Sequence, residues 1–377
     1  MRALVGVLGF VMLLVVLRDA FETIVLPRRV QRRFRPTSLF YRTSWPLWRG
    51  LASRLPGRFG DGALGWFGPL SLLVLLALWA VGIVFAFGAL QWGAGSVLMV
   101  NRTAPGFLDD LYFSGTTFFT LGLGDAAPRS DLAKVLTVTE SGLGFAFLAI
   151  VIGYLPVIYQ SFSRREIAIS MLDARAGSPP AAVELLWRQR DDVERRGLGQ
   201  LLVEWERWAA EVLESHLSYP VLAYFRSQHG NQSWLAALTT VLDTSALVMV
   251  SVEGWCARQA RLTFAMARHA VVDLAQVFRA PRPERLPERL TDAEFAELTQ
   301  RLERAGMTFR GTDVRARLLE LTALYEPYVT ALSAHLALPL PSWTRKTKRH
   351  DNWQAAPWKI LPKGGRPGAG GETLPHF

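Results

Sequence analysis

The sequence predicts an all-α protein with one part inside a membrane and one part outside it. Two apolar segments, 69–92 and 132–160, are long enough to cross the ~30 Å hydrocarbon core of a bilayer. The chain is 50% hydrophobic and yet 20% charged, which favours a membrane region joined to a soluble region over one globular domain. After residue 165, apolar side chains recur at spacings of three and four, as in amphipathic helices.

A third apolar segment opens the chain and predicts an N-terminal transmembrane helix within residues 1–27. We interpret it as an uncleaved span, because no small-residue cleavage site of a signal peptide follows it. The basic linker 28–67 contains nine arginines and one acidic residue, which is typical of a loop on the cytoplasmic side. We therefore expect a multi-pass protein of a bacterial inner membrane, with its N-terminus outside and the region after residue 161 in the cytoplasm.

The short string Thr-Leu-Gly-Leu-Gly-Asp at 120–125 lies between the two long spans. Glycine reaches backbone dihedrals that are closed to other residues, so successive carbonyls in such a string can point the same way. The hydroxyl of Thr120 adds an oxygen at the inner end. Rings of such oxygens can replace the water shell of a dehydrated cation. The string therefore predicts a backbone that lines a narrow cation pathway.

This string resembles the selectivity filter of potassium channels, Thr-Val-Gly-Tyr-Gly-Asp, and its Gly-Leu-Gly form looks more like the second filter of some two-pore-domain channels. Its surroundings match as well: an apolar segment precedes it, Asp-x-x-Pro follows, and Gly144 lies 20 residues after Gly124. The resemblance covers roughly 69–160. It implies a pore-loop potassium-channel-like domain at 68–160, with outer helix 69–92, pore helix 108–119, filter 120–125 and inner helix 132–160.

The resemblance assigns functions to particular residues. It implies that K⁺ binds at five filter residues, namely Thr120, Leu121, Gly122, Leu123 and Gly124. Four residues would support the filter: Thr116, Thr117, Asp125 and Glu140. Because each chain contains one filter string and a closed ring needs four, the resemblance implies a homotetramer. Leucine at 123 departs from the usual tyrosine or phenylalanine, so strict selectivity for potassium over sodium stays open.

Glu140 is an acid inside a span, where charged groups are costly and usually have partners. One interpretation is a buttress, hydrogen-bonded to a pore-helix hydroxyl such as that of Ser114 or Thr117. The other interpretation is an acid that pairs with Lys134 or faces the outer water. The sequence leaves both interpretations open.

The inner helix contains the expected cavity and gating positions. The resemblance implies a hinge at Gly144 and a cavity lined by Phe145, Leu148 and Ile152. Pro156 removes a backbone donor and should kink the helix, so we expect a gate near 154–159, although a static kink fits equally well.

The region 161–338 predicts a helical cytoplasmic domain. Segment 234–252 is apolar enough for a fourth span, but Asp243 in its middle favours a buried soluble helix. Thr291 and Glu294 form a capping-box pattern for a helix over 292–305, and a further helix is predicted over 312–336. The tail 339–377 contains prolines, glycines and a basic cluster, which predicts disorder with some affinity for anionic membrane lipids.

Several function classes find no support in the sequence. The positive charge lies beside the spans, so it does not indicate a nucleic-acid partner, and the lone Cys256 leaves nothing for a cysteine metal cluster. No nucleotide-binding fingerprint or catalytic arrangement is found, so we expect no enzyme and no cofactor beyond permeant K⁺. A regulatory ligand or protein of the helical domain stays unidentified. We expect a passive potassium channel subunit; the alternatives are a weakly selective monovalent cation channel and a non-conducting membrane anchor for a helical signalling or scaffold domain.

Overall fold

A computed structural model of the protein describes residues 1–26, 35–95, 97–99, 106–190, 196–251, 255–309, 313–345 and 351–352. The chain forms two compact units. The pore unit comprises Met1–Ser161 and Ser218–Phe225, and the helical unit comprises Phe162–Leu217 and Arg226–Phe377. The predicted all-α fold is confirmed, with two three-residue strands as the exception among the described residues.

The pore unit is built from long helices and one small strand ladder. Its helices are α1 (Arg2–Ile24), α2 (Pro36–Ala52), α3 (Arg58–Gly93), α4 (Phe107–Phe118) and the first part of α5 (Asp131–Ala176). Strand β1 (Val97–Met99) pairs antiparallel with β2 (Ala126–Pro128), with Val97 opposite Pro128. The two strands bracket α4, so the chain enters and leaves the pore loop side by side.

The region predicted as a basic linker, 28–67, is largely helical. It contains all of α2 and the first ten residues of α3, while 27–34 lie outside the described residues. Helix α3 therefore begins eleven residues before the apolar run at 69–92 and continues through Pro69. The apolar run shows which part of the chain is hydrophobic, but a helix can begin before the first apolar residue of such a run.

Helix α1 packs along α3 with almost no side chain between the two backbones. A Cβ added at Gly9 would lie 2.7 Å from the carbonyl oxygen of Ala86, and one added at Gly93 would lie 2.9 Å from Cα of Gly6. Small residues permit this close approach, which is typical of helix pairs in membranes. Helix α1 is therefore an integral part of the pore unit.

Asp19 is buried near the end of α1 and is held by three donors. Its carboxylate accepts hydrogen bonds from the Thr37 backbone N–H (3.1 Å), the Thr37 hydroxyl (2.6 Å) and Trp79 Nε1 (3.0 Å). The Arg35 guanidinium lies 3.8 Å away. One acid thus joins α1, the start of α2 and α3, which satisfies the rule that buried charges need partners.

The helical unit contains the rest of α5 and seven further helices among the described residues. These are α6 (Ala182–Arg188), α7 (Arg196–Ser218), α8 (Trp234–Ser251), α9 (Trp255–Val277), α10 (Asp292–Arg304), α11 (Val314–Ala323) and α12 (Glu326–Leu336). The capping box at Thr291 and Glu294 is present at the start of α10. The helix predicted over 312–336 is two helices, because the chain turns at Leu324–Tyr325 before Pro327 opens α12.

Among the residues that the structure describes, four helices are long and apolar enough to cross a membrane: α1, α3, α5 and α8. Helix α8 differs from the others because every residue in it except Met249 is buried inside the helical unit. Its Asp243 accepts hydrogen bonds from Arg289 and from the Tyr325 hydroxyl. A helix covered on all sides has no face left for lipid, which favours the predicted buried helix over a fourth span.

The predicted disorder from residue 339 does not hold for the first part of the tail. Trp343 is 1% exposed, and its carbonyl accepts a hydrogen bond from the Val183 backbone N–H. Asp351 is fully buried and pairs with Arg188 and with Arg345. The tryptophan and the acid anchor a segment whose overall composition suggested disorder. Residues 346–350 and 353–377 lie outside the described residues.

Candidate functional site

Helix α4 leads into the predicted filter, residues 120–125, and is capped at both ends. At its start, the Asp109 carboxylate accepts a hydrogen bond from the Gly106 backbone N–H (2.7 Å), and acids in a first turn complement the helix dipole. At its end, the backbone N–H of Leu121 donates to the carbonyl of Thr116 (2.8 Å), and that of Thr120 donates to the carbonyl of Thr117 (3.1 Å). These bonds turn the chain from the helix into the filter string.

The filter backbone alternates in handedness. Thr120, Gly122 and Gly124 have φ of 54°, 58° and 79°, whereas Leu121 and Leu123 have no positive φ. Two of the three left-handed positions are glycines, which adopt this conformation at little cost. Thr120 is a non-glycine residue in the left-handed region, which is uncommon. The sign of φ therefore alternates from residue 120 to residue 124.

Apolar side chains next to the filter are uncovered in a single chain. Phe119, Leu121 and Leu123 are 62%, 60% and 64% exposed. Large apolar residues that cluster at the surface mark an interaction site. The three side chains therefore form an exposed apolar surface at residues 119–123.

Asp125, predicted to support the filter, accepts a hydrogen bond from the hydroxyl of Tyr112 on α4 (2.9 Å). This contact joins the last residue of the string 120–125 to α4. Tyr112 is not among the residues that the sequence predicts for this site. Tyr112 and Asp125 are 13 residues apart, and the second half of α4 and the string lie between them. No short sequence pattern therefore links the two residues.

Thr116 and Thr117 contact the filter through their backbones. Both carbonyls accept hydrogen bonds from backbone N–H groups of the string, as described above. The buried Thr116 hydroxyl donates a hydrogen bond to the Phe113 carbonyl within α4 (2.9 Å). Thr117 is half-buried. Their contribution to the junction therefore comes from where α4 ends rather than from their hydroxyl groups.

Glu140 is fully buried and lies against Ser114, one of the two pore-helix hydroxyls that the sequence analysis considered. Ser114 Oγ also lies 2.7 Å from the carbonyl oxygen of Val84 on α3. Lys134 pairs with Asp131 instead (3.0 Å), at an exposed position. The second carboxylate oxygen of Glu140 is buried without a hydrogen-bond partner among the described residues. One serine hydroxyl thus contacts both α3 and α5 from its position on α4.

Gly144 lies where α5 passes the end of the pore helix. A Cβ at this position would be 2.1 Å from the carbonyl oxygen of Phe118, far inside contact distance. Glycine is therefore required here for close approach, whether or not the helix bends at this point. Helix α5 runs on through Pro156 without a break in its helical residues.

The predicted cavity-lining residues share one exposed side of α5. Phe145, Leu148 and Ile152 are 72%, 55% and 63% exposed and are spaced by three and four residues. In a single chain nothing covers this apolar stripe. The structure therefore leaves this side available for a cavity or for a neighbouring chain.

Comparison with known proteins identifies the same part of the chain. Residues 72–160 match the family model described as "Ion channel". The chain is also similar to the uncharacterized membrane protein YdjJ of Bacillus subtilis (strain 168), with 24% identity over 209 residues. That alignment covers 55% of this chain and 59% of the relative, so the chain spans about three fifths of the relative's length. No solved structure matches the chain.

The family match, the two long spans and the filter string coincide on one segment. Both helices that flank the string, and the pore helix that leads into it, lie within or overlap residues 72–160. The chain is a membrane protein whose residues 72–160 are similar to an ion channel family.

Proposed function

We propose that the protein is the subunit of a passive potassium channel, in which four copies complete a carbonyl-lined filter. The observation that carries this proposal is the alternating left-handed backbone at Thr120, Gly122 and Gly124 at the end of a pore helix. Such a string offers ring after ring of oxygens to a dehydrated cation. The pathway needs no cofactor besides the permeant ion.

The exposure of the pore loop supports a tetramer. Phe119, Leu121 and Leu123 would be covered by neighbouring copies around the axis, and the apolar stripe of α5 would face the cavity. Closed rings of identical subunits are the usual way to satisfy such a surface. We further propose that the channel lies in the inner membrane, with α1 entering from outside and the helical unit in the cytoplasm. The arginines at 28–67 support this orientation.

Within this proposal, two contacts hold the filter from behind. The Tyr112–Asp125 hydrogen bond positions its outer end, and the Ser114–Glu140 contact fixes the inner helix to the pore helix. The exposed stripe of α5 lines the cavity below. Movement of α5 around Gly144 or Pro156 would open and close the pathway.

A weakly selective monovalent cation channel is the second candidate, and Leu123 is the observation that favours it. An aromatic side chain at this position could pack behind the filter, whereas leucine supplies a smaller apolar surface and no hydroxyl. The Tyr112–Asp125 bond restrains the filter at a different residue and supports the selective alternative. A non-conducting membrane anchor for the helical unit is the third candidate, and it would leave the filter backbone without a use.

Cation flux into liposomes that contain the purified protein tests these proposals. The liposomes hold potassium inside and either potassium or sodium outside, and barium serves as the blocker. We expect barium-sensitive potassium flux that excludes sodium. Equal fluxes of both ions would support the weakly selective channel. Absence of flux in wild-type protein, with the tetramer intact and under every condition, would contradict the channel proposal.

The substitution Gly122→Ala tests the assignment of the filter. Gly122 has φ of 58°, where a Cβ costs roughly 1 kcal/mol or more per residue, so we expect flux to be lost. Assembly should persist, because a Cβ at this position meets no atom of the same chain within 4 Å. Gly142→Ala is the matched control, since Gly142 is helical and equally free of contacts. Wild-type flux in Gly122→Ala would show that the filter is misassigned.

A further inference from the structure

A short segment from the middle of the cytoplasmic sequence belongs to the pore unit. Residues Ser218–Phe225, which we call the strap, begin at the last residue of α7 and contain a 3₁₀ helix at Pro220–Tyr224. The residues before and after the strap belong to the helical unit. The chain therefore leaves the helical unit, contributes eight residues to the pore unit, and returns.

An aromatic cluster anchors the strap in the pore unit. The ring of Tyr224 stacks parallel to that of Tyr41 on α2, with centroids 5.4 Å apart. It also packs against Trp45 of α2 (5.1 Å) and Phe67 of α3 (5.3 Å). These separations fall in the range in which aromatic pairs contribute beyond their buried area. The strap is thus packed in place by both helices at once.

Gly68 allows the strap to lie directly on α3. A Cβ at this position would be 2.7 Å from the ring of Phe225 and 3.0 Å from the carbonyl oxygen of Tyr224. The second of these contacts involves backbone, which a side-chain rotation cannot relieve. The strap therefore occupies space that any residue larger than glycine at 68 would take.

The other end of the strap contacts the inner helix. The ring of Tyr219 packs edge-on against that of Tyr154 on α5, with centroids 5.8 Å apart and an interplanar angle of 64°. Tyr154 is buried and lies two residues before Pro156, at one of the two positions where α5 could bend. The strap thus joins a candidate bending point to the anchored base formed by α2 and α3.

Both flanks of the strap are fixed within the helical unit. Two residues before it, the buried His216 accepts a hydrogen bond from Arg165. One residue after it, Arg226 donates to the carbonyls of Leu336 and Ala337 (3.2 and 2.8 Å). Because both flanks are hydrogen-bonded within the helical unit, a rearrangement inside that unit would pull on the strap through the covalent chain.

We propose that the strap is the element through which the helical unit acts on the pore, and that Tyr219 is the residue that positions the inner helix at Tyr154. This inference rests on the proposed channel function. It specifies one way in which a regulatory event in the helical unit reaches the part of α5 that belongs to the pore unit. The regulatory event would displace Tyr219 from Tyr154 while the Tyr224 cluster stays packed.

The first experiment needs no flux and measures hydrogen exchange in the strap of the full-length protein. We expect amides of 218–225 to be protected in wild type and to exchange faster in Gly68→Ala. Gly65→Ala is the matched control, because it lies one turn earlier in α3 and a Cβ there meets nothing within 4 Å. Equal protection in both variants would overturn the packing described for the strap.

The second experiment measures potassium flux in liposomes with Tyr219→Ala and Tyr154→Ala. Loss of one aromatic contact should change basal flux by about threefold or more, while the potassium-to-sodium ratio stays as in wild type. The double variant should behave like either single variant, because both remove the same contact. Tyr219→Phe, which keeps the ring, should behave like wild type, as should Tyr328→Ala, a half-buried tyrosine on α12.

The outcomes separate the two proposals. Flux in wild type together with unchanged flux in Tyr219→Ala would overturn the function of the strap and leave the channel intact. Additive effects of the two alanine substitutions would also overturn it. Absence of wild-type flux would contradict the channel itself, while the exchange experiment would still report on whether the strap is held in the pore unit.

Discussion

The helices of the pore unit pack against each other in a different way from the helices of the helical unit. In the pore unit, backbones approach each other at glycines, as α1 does with α3 and as α5 does with the end of α4 at Gly144. In the helical unit, α8 is covered by side chains, and its buried Asp243 is paired with Arg289. The difference follows from the solvent: in lipid, apolar burial does not drive helices together, so close packing of small residues does.

Removal of Arg289 should have the largest effect on stability, and it tests the helical-unit side of this comparison. Its guanidinium is 8% exposed and contacts Asp243, which would be left as a buried charge. Breaking such a pair by removing one partner costs about 3–5 kcal/mol. We expect Arg289→Met to lower the apparent melting temperature of the helical unit by about 6 °C or more.

Arg315→Met is the control for this prediction. Arg315 pairs with Asp292, but its side chain is 37% exposed and that of Asp292 is 85% exposed. Exposed pairs contribute about 0–1 kcal/mol, so this variant should melt close to wild type. Similar melting temperatures of the two variants would mean that the buried pair with Asp243 contributes no more to stability than the exposed pair with Asp292.

Gly144→Ala tests the pore-unit side of the comparison and should have the next largest effect. The added methyl would lie 2.1 Å from the Phe118 carbonyl oxygen, so α5 has to move away from the pore helix. Overpacking of this kind costs about 1–3 kcal/mol. We expect a lower melting temperature of the purified channel and loss of flux, because the displaced helix no longer supports the filter.

Gly142→Ala, two residues earlier in the same helix, is the control. A Cβ there meets nothing within 4 Å, and alanine favours a helix over glycine by about 0.5–1 kcal/mol. This variant should therefore be as stable as wild type or slightly more so. If both glycine variants melted alike, α5 would not pack on the pore helix as described.

The features that could be predicted from the sequence are local ones. The positive φ at Gly122 and Gly124, the long apolar spans and the capping box at Thr291 each depend on residues close together in the chain. The same holds for the buried character of 234–252, since a single acid in an apolar helix already indicates a partner. Such patterns can be interpreted without knowledge of the tertiary contacts.

The missed features depend on contacts between distant residues. Tyr112 and Asp125 form a hydrogen bond because the string folds back along α4. The strap is held by ring contacts with aromatic residues of α2 and α3. For α2, a signal was present: Tyr41, Trp45 and Trp48 recur at spacings of four and three, typical of one face of a helix. Because nine arginines lie in 28–67, the region was interpreted as a loop, and this helical spacing of aromatic residues was not used.

The smallest predicted effect concerns pH and the buried His216 of the helical unit. Its Nδ1–H donates to the Val212 carbonyl (2.8 Å), and Arg165 Nη1 donates to its Nε2 (3.3 Å), so the ring is neutral and its two nitrogens are both used. Burial, aided by the charge of Arg165, lowers the pKa of His216 to about 3.

The sign of the pH effect follows from the unfolded chain, in which a histidine has a pKa of about 6.5. Below that pH the unfolded state takes up a proton that the folded state excludes. Stability from His216 is therefore complete above pH ~6.5 and declines by up to about 1.4 kcal/mol per pH unit as the pH falls towards the folded pKa. His216→Gln cannot take up this proton. We expect the melting temperature of wild type, measured relative to this variant between pH 7 and pH 5, to fall as the pH is lowered, whereas parallel curves would mean that His216 is not held neutral against Arg165.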